Sequence, residues 1–147
     1  MPLLAFESEL WLPRPPEALF PFFSDALNLE VLTPPFLHFR VLSPAPIEMR
    51  VGTRIDYRLR IHGIPLRWQS EITAWDPPHR FADEQSRGPY RTWIHTHRFA
   101  PKEGGTLITD QVAYAVFGGA PINRLFVRPD LERIFAYRTR QLVAKFG

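Results

Sequence analysis

The chain has 147 residues, of which 45% are hydrophobic and 22% charged, with a net charge of +3 and no cysteine. These figures describe one ordinary globular domain and argue against a disordered chain; they exclude a disulfide scaffold, a zinc-thiolate centre and a thiol nucleophile. The mild basicity is spread along the chain, without the Lys/Arg block that marks a nucleic-acid-binding tail, so no nucleic-acid partner is expected.

Met1 to Glu7 carries neither a basic flank nor a long apolar stretch, so no signal peptide is expected. No apolar run nears the roughly 20 residues of a membrane span. A cytoplasmic, single-domain protein (residues 1–147) without stable membrane insertion is the expectation. Residues 3–12 alternate, with Leu4, Phe6, Ser8, Leu10 and Leu12 on one side, and read as a first strand. Pro15-Pro16-Glu17 opens a helix through Phe20 and Phe23, since proline is tolerated in a first helical turn. Ser24 or Asp25 caps a second short helix, Ala26 to Leu32, with Leu27, Val31 and Leu32 placed inward. Thr33-Pro34-Pro35 ends it.

The middle of the chain is β-rich. His38–Leu42 reads as a short strand. From Thr53 to His62, Ile55, Tyr57, Leu59 and Ile61 alternate with Arg54, Asp56, Arg58 and Arg60, the pattern of an antiparallel sheet covered on one face. Gly63-Ile64-Pro65 turns the chain into an inward set of Leu66, Trp68, Ser70, Ile72 and Ala74. Asp76-Pro77-Pro78 breaks that strand. Arg80–Gln85 and Tyr90–Phe99 form a hairpin around Gly88-Pro89, and Gly104-Gly105 leads into a last strand, Thr106–Val116. After a break at Gly118-Gly119-Ala120-Pro121 the remainder reads as helix. Ile122, Leu125, Phe126, Leu131, Ile134, Phe135, Leu142 and Phe146 recur at helical spacing, and Arg124, Arg128, Arg133, Arg138 and Arg140 take the other sides. Pro129 predicts a kink or a restart. The 16 prolines thus fall mostly at segment edges.

The predicted class is α+β: a curved antiparallel sheet of six to seven strands around one long C-terminal helix, with two short helices after the first strand. One helix cannot easily fill a strongly curved sheet. A gap lined by large side chains follows, and such gaps bind ligands. The 14% aromatic content has a natural place there. The 16 arginines against Lys102 and Lys145, with only Asn28 and Asn123 for asparagine, match a thermophile or a GC-rich genome.

Several runs carry a family resemblance: His62-Gly63-Ile64-Pro65-Leu66-Arg67-Trp68, Phe81 to Tyr90, Trp93-Ile94-His95-Thr96-His97-Arg98-Phe99, Thr109 to Tyr114, and Ile134 to Arg138. With the element order, they resemble the START-like, helix-grip (SRPBCC) superfamily, and within it bacterial polyketide cyclase/dehydrase and coenzyme-Q-binding members. The resemblance spans essentially the whole chain. It implies a helix-grip fold and a small-molecule cavity, and says little about the ligand, because members share architecture more than chemistry.

His95-x-His97 is the sharpest local signal. Residues two apart on a strand share a face, so both imidazoles can converge on one ligand. Asp83 or Gln85 across the hairpin can join them. No metal and no cofactor is assigned, since two histidines fall short of a zinc set. Tyr57, Trp68, Trp93 and Tyr114 are placed on the buried side, where Trp and Tyr need polar partners. Phe126, Ile134 and Phe135 form the opposite wall. Asp110 and Arg98, on neighbouring strands, are read as a pair, and the helix arginines as a solvated face.

The leading functional expectation is non-enzymatic: binding of a hydrophobic or amphipathic small molecule (a lipid, quinone or polyketide), with access through loops near residues 33–36, 62–65 and 117–121. The binding set is Tyr57, Trp68, Asp83, Gln85, Trp93, His95, His97, Tyr114, Phe126, Ile134 and Phe135. An alternative is a cyclase, aromatase or dehydratase using His95 and Asp83; it requires a polar cluster with perturbed pKa values deep in the pocket. A third is a protein-interaction or homodimerisation module, which requires a long uncovered apolar surface.

Overall fold

The computed structural model describes residues 3–147; the sequence reading at Met1 and Pro2 lies outside that range. Seven antiparallel strands form one sheet. They are β1 (Leu4–Leu12), β2 (Arg40–Val41), β3 (Arg54–Ile61), β4 (Ile64–Asp76), β5 (Arg80–Arg87), β6 (Thr92–Lys102) and β7 (Gly105–Ala115). Their order is β1-β7-β6-β5-β4-β3-β2. The sheet is curved and open, and a long C-terminal helix lies with it. Helices α1 (Pro16–Phe23) and α2 (Leu29–Leu32) follow β1, as the sequence predicts. None of the described helices is long and apolar enough to cross a membrane.

Local chemistry explains where expectation and structure part. The segment after α1 begins as a 3-10 turn, Ala26–Asn28, with the Asp25 carboxylate accepting from the Leu27 N–H at 3.0 Å. A 3-10 turn has three residues per turn, so Ala26, Leu29 and Leu32 face inward. Leu27 and Val31, predicted inward, are exposed. His38 adopts a left-handed backbone (φ 47°), and the predicted 38–42 strand shrinks to Arg40–Val41.

Both predicted hairpin turns sit one residue earlier than expected. Their central pairs are His62 (φ 49°) with Gly63 (φ 80°), and Glu103 (φ 49°) with Gly104 (φ 78°). Left-handed φ at both positions is the two-residue turn that suits strand twist. Ile64 and Pro65 therefore belong to β4. Pro65 is tolerated because β4 pairs with β5 only from Gln69 onward. An extra residue, Thr73, interrupts the β4–β5 register between Ile72 and Ala74. Such a bulge bends the strand and resets its alternation. The inward role predicted for Ala74 passes to Trp75, which packs edge-on against Phe20 at 5.3 Å.

The C-terminal helix has three contiguous parts: α3 (Gly119–Ile122), a π-helical turn (Asn123–Val127) and α4 (Arg128–Phe146). Pro129 follows the π turn directly and sits in the first turn of α4, where its missing N–H and its ring are accommodated. The wider π turn also shifts the inward line. Asn123 and Val127 turn in, while Ile122, Leu125 and Phe126 are exposed, against expectation. From Leu131 the inward line runs through Phe135, Arg138 and Leu142. Arg138 is thus buried, which corrects its assignment to a solvated face.

The apolar core is split along this helix. One cluster gathers Leu12, Leu19, Phe20, Phe23, Phe81, Phe99 and Leu142; another gathers Phe6, Val112, Tyr114, Leu131 and Phe135. Between them α4 places Arg138.

Candidate functional site

A cavity of about 180 Å³ lies between the concave sheet and α4. Tyr57 and Ile72 come from β3 and β4, Phe81 and Asp83 from β5, and Trp93, His95 and His97 from β6; Leu131, Ile134, Phe135 and Arg138 come from α4. The period-two alternation of each strand puts these side chains on one face. The wall is mostly apolar; besides a cluster around His95 and His97, its polar residues include Ser24, Thr33, Ser70 and Asp130.

One end of the cavity is an aromatic corner. The Trp68 and Trp93 rings meet edge-on at 5.3 Å, and Tyr90 lies 5.5 Å from Trp68 and 4.8 Å from Trp93. Aromatic pairs in this geometry contribute about 0.5–1.5 kcal/mol each beyond area burial, so the corner is a stiff wall. The Trp68 indole N–H donates to Ser70 Oγ at 3.0 Å. Burial pushes the Tyr57 and Tyr90 hydroxyls well above the ordinary tyrosine range, with Asp83 adding to the shift at Tyr57 and Asp130 at Tyr90.

The polar cluster is centred on Asp110 from β7. Its Oδ1 lies 2.9 Å from His95 Nε2, 3.2 Å from His97 Nδ1 and 3.7 Å from Arg138 Nη2. Asp83 Oδ2 faces His97 Nε2 at 3.2 Å. The two imidazoles stack with centroids 3.7 Å apart, and Phe81 stacks on His97 at 4.0 Å. Burial alone would raise Asp110, but the Arg138 guanidinium and both imidazoles outweigh it and hold the carboxyl well below its usual range. Burial and the neighbouring His97 push His95 down, beyond what Asp110 restores. Burial also opposes charge on His97, yet the nearby carboxylates of Asp110 and Asp83 outweigh it and hold it above its ordinary value. The two stacked imidazoles are pushed in opposite directions, His95 towards the neutral form and His97 towards the charged one.

Imidazole NMR titration of the folded protein should therefore show His97 titrating above the ordinary histidine value of about 6.5 and His95 below it. The stability that His97 contributes is present below that value and is lost as pH rises through its raised pKa. For His95 the sign reverses: its contribution is present above about 6.5 and is lost as pH falls through its lowered pKa. Coincident titrations, or the opposite order, would contradict this assignment.

Asp83, His95 and His97 also bring one potential metal-ligand atom each within 4.8 Å of one another. Against a cation stand the Arg138 guanidinium beside Asp110 and the pairing of these donors with one another, so the set fits a metal poorly.

Of the residues singled out from sequence, Tyr57, Trp68, Asp83, Trp93, His95, His97, Ile134 and Phe135 line the cavity. Three do not. Gln85 straps the hairpin instead, donating to the Tyr90 carbonyl at 2.8 Å and accepting from its N–H at 3.0 Å. Tyr114 is fully buried beside the cavity and donates to Asn123 Oδ1 at 2.7 Å. Phe126 points out and packs on His62. Arg98 does not pair with Asp110; they lie on opposite faces, and Arg98 reaches Gln111 at 3.3 Å. Sequence reasoning did not select Tyr90 or Arg138. Arg138 had a signal, because it lies seven residues after Leu131 and three after Phe135, on the same helical stripe.

An open groove of about 790 Å³ adjoins the cavity, sharing Thr33, Phe39 and Leu59 with it. Pro34, Pro35 and Pro65 line the groove with Arg40, Arg58, Arg60 and Arg67. Two of the three loops expected to border access lie here, and 117–121 lines neither space. His62 Nε2 reaches Asp130 Oδ2 at 2.9 Å and ties the β3–β4 turn to the start of α4.

The family model described as polyketide cyclase/dehydrase and lipid transport matches residues 5–147. Among solved structures, protein Ms6760 from Mycobacterium smegmatis is similar at 21% identity and TM-score 0.69, over 96% of this chain and 89% of that one. A ginseng major latex-like protein from Panax ginseng aligns at 13% identity and TM-score 0.73, over 100% of this chain and 99% of its own. The Zhui aromatase/cyclase from Streptomyces sp. R1128 aligns at 14% identity and TM-score 0.72, over 97% and 93%. At these identities the likeness is one of fold. No curated protein matches the sequence.

Proposed function

The chain belongs to the polyketide cyclase/dehydrase and lipid-transport family, and from that premise we propose that it acts as one domain binding a hydrophobic or amphipathic small molecule between the sheet and α4. The observation that carries this reading is the cavity itself: mostly aromatic and aliphatic walls, with Asp83, His95, His97 and Arg138 among the few polar groups that can orient a ligand. Apolar burial supplies the affinity, at about 25 cal/mol per Å² removed from water. Trp68, Trp93, Tyr57, His95 and His97 would set orientation. A neutral amphiphile such as N-phenyl-1-naphthylamine should fluoresce on binding, and native mass spectrometry of the freshly purified protein should show retained small molecules. Ile134→Trp, which fills the cavity from the α4 side, should weaken dye binding at least tenfold. Unchanged dye binding in that variant would move the site elsewhere.

A second reading has a specific observation in its favour. His95, on the cavity wall and with its pKa lowered by burial, lies 2.9 Å from Asp110 and forms an acid–base pair with it. This is the polar cluster that a cyclase or dehydratase requires. If the retained molecule is altered on incubation with the wild type and left unchanged by His95→Gln, which still binds it, the protein is an enzyme of that class.

A further inference from the structure

Among the described residues, Arg138 is the one buried arginine. It projects from the middle of α4, with the Phe23 ring 5.5 Å and the Phe135 ring 6.0 Å from its guanidinium carbon. A guanidinium offers five N–H donors in a planar fork. The Arg138 Nε has no hydrogen-bond partner, and the Nη2 contact to Asp110 Oδ1, at 3.7 Å, is too long for a hydrogen bond. That oxygen is already approached by His95 at 2.9 Å and His97 at 3.2 Å. One carboxylate oxygen faces three donor groups and serves them unequally: His97 Nδ1 and Arg138 Nε are left without a hydrogen-bond partner.

Buried donors in native proteins almost always find a partner. Arg138 lines the cavity, with two aromatic rings beside its guanidinium, so a molecule held there can supply the missing partner. We infer that the ligand carries a carboxylate, which takes the Arg138 fork while an apolar body fills the aromatic corner. A planar two-oxygen acceptor matches the guanidinium edge, as a single carbonyl or hydroxyl does not. A phosphate would bring nearly two charges to a site with one under-used cation. Volume limits the body. The cavity of about 180 Å³ compares with roughly 150 Å³ for an apolar cavity that holds benzene, so the enclosed part of a ligand is one ring with a short chain, and anything larger extends into the adjoining groove.

Charge balance adds a proton. Facing the cluster are Asp83 from β5, His95 and His97 from β6, Asp110 from β7, Arg138 from α4 and Tyr57 from β3. A bound carboxylate would add a negative charge beside these groups, and His95, pushed down by burial and by His97, is the imidazole with room to take up a proton.

This identification rests on the cavity being a ligand site, and the test separates the two. Titration calorimetry on the full chain compares 3-phenylpropanoate with 3-phenylpropan-1-ol, which share their apolar body. The carboxylate should bind at least tenfold more tightly, with proton uptake seen as a buffer-dependent enthalpy, and should weaken as pH rises. Arg138→Met should remove that preference and leave alcohol binding in place; Arg138→Lys, which keeps the charge but not the fork, should lose most of it. If the variants do not fold, the wild-type comparison decides alone. Equal or tighter binding of the alcohol overturns the carboxylate assignment and leaves the cavity reading standing. If neither probe binds, both fall.

Discussion

Asp110→Ala is expected to lower the folding free energy by about 3–5 kcal/mol, the usual cost of removing one partner from a buried charge cluster. The reason is an asymmetry. The wild-type carboxylate faces Arg138 and both histidines where all four are buried; without it, the guanidinium and the imidazoles remain buried with only Asp83 to answer them. For a chain of this size each kcal/mol moves the midpoint by about 2–4 °C, so a fall of roughly 10 °C is the readout. The effect must depend on pH with a definite sign. The folded-state pKa of Asp110 is depressed, so its contribution is present above the ordinary carboxylate value and is lost as pH falls through the depressed one. Wild type and variant should converge in acid. A second change, Arg138→Met, should recover part of the loss, because the two sites share one interaction. A variant within about 1 kcal/mol of wild type at neutral pH would show the cluster to be solvated and unimportant to folding.

Phe20→Ala should cost a similar amount, about 3–5 kcal/mol, by a different route. Phe20 is the hub of an aromatic group, edge-on to Trp75 at 5.3 Å, Phe81 at 5.6 Å and Phe99 at 5.3 Å. Helix α1 is eight residues long. An isolated helix below about 12 residues is marginal in water, so packing rather than propensity holds α1 in place. Truncating the hub leaves a void that three stiff rings cannot close. Urea unfolding should show a lower midpoint with an unchanged slope. Phe22→Ala, at a partly exposed ring beside Phe146, should cost markedly less. Equal losses at the two positions would contradict this account of the core.

These two residues also mark what was legible beforehand. The inward side of β3 could be read from Ile55, Tyr57 and Leu59, since alternation with charged neighbours leaves one choice of face. His95 and His97 were placed together by the same rule. The rule failed wherever the period changed. At Thr73 one extra residue moved the inward position from Ala74 to Trp75. In the 26–28 turn a three-residue period replaced the helical one and exposed Leu27 and Val31. The π turn did the same to Leu125 and Phe126. Each is a local irregularity a few residues long, and residue pattern alone does not announce it.

The sequence by itself determined the element order, the wet and buried faces of the strands, the family and the expectation of a cavity lined by aromatics. The order, the faces and the cavity follow from local period and composition, and the family from the resemblance carried by the runs at 62–68, 81–90, 93–99, 109–114 and 134–138. The tertiary structure decided the partners: that Asp110 turns to the histidines and away from Arg98, that Gln85 straps a hairpin, and that Arg138 enters the core. Such pairings join strands and a helix distant in sequence. They depend on register and helix rotation, and a change of one residue in either reverses which side chains meet.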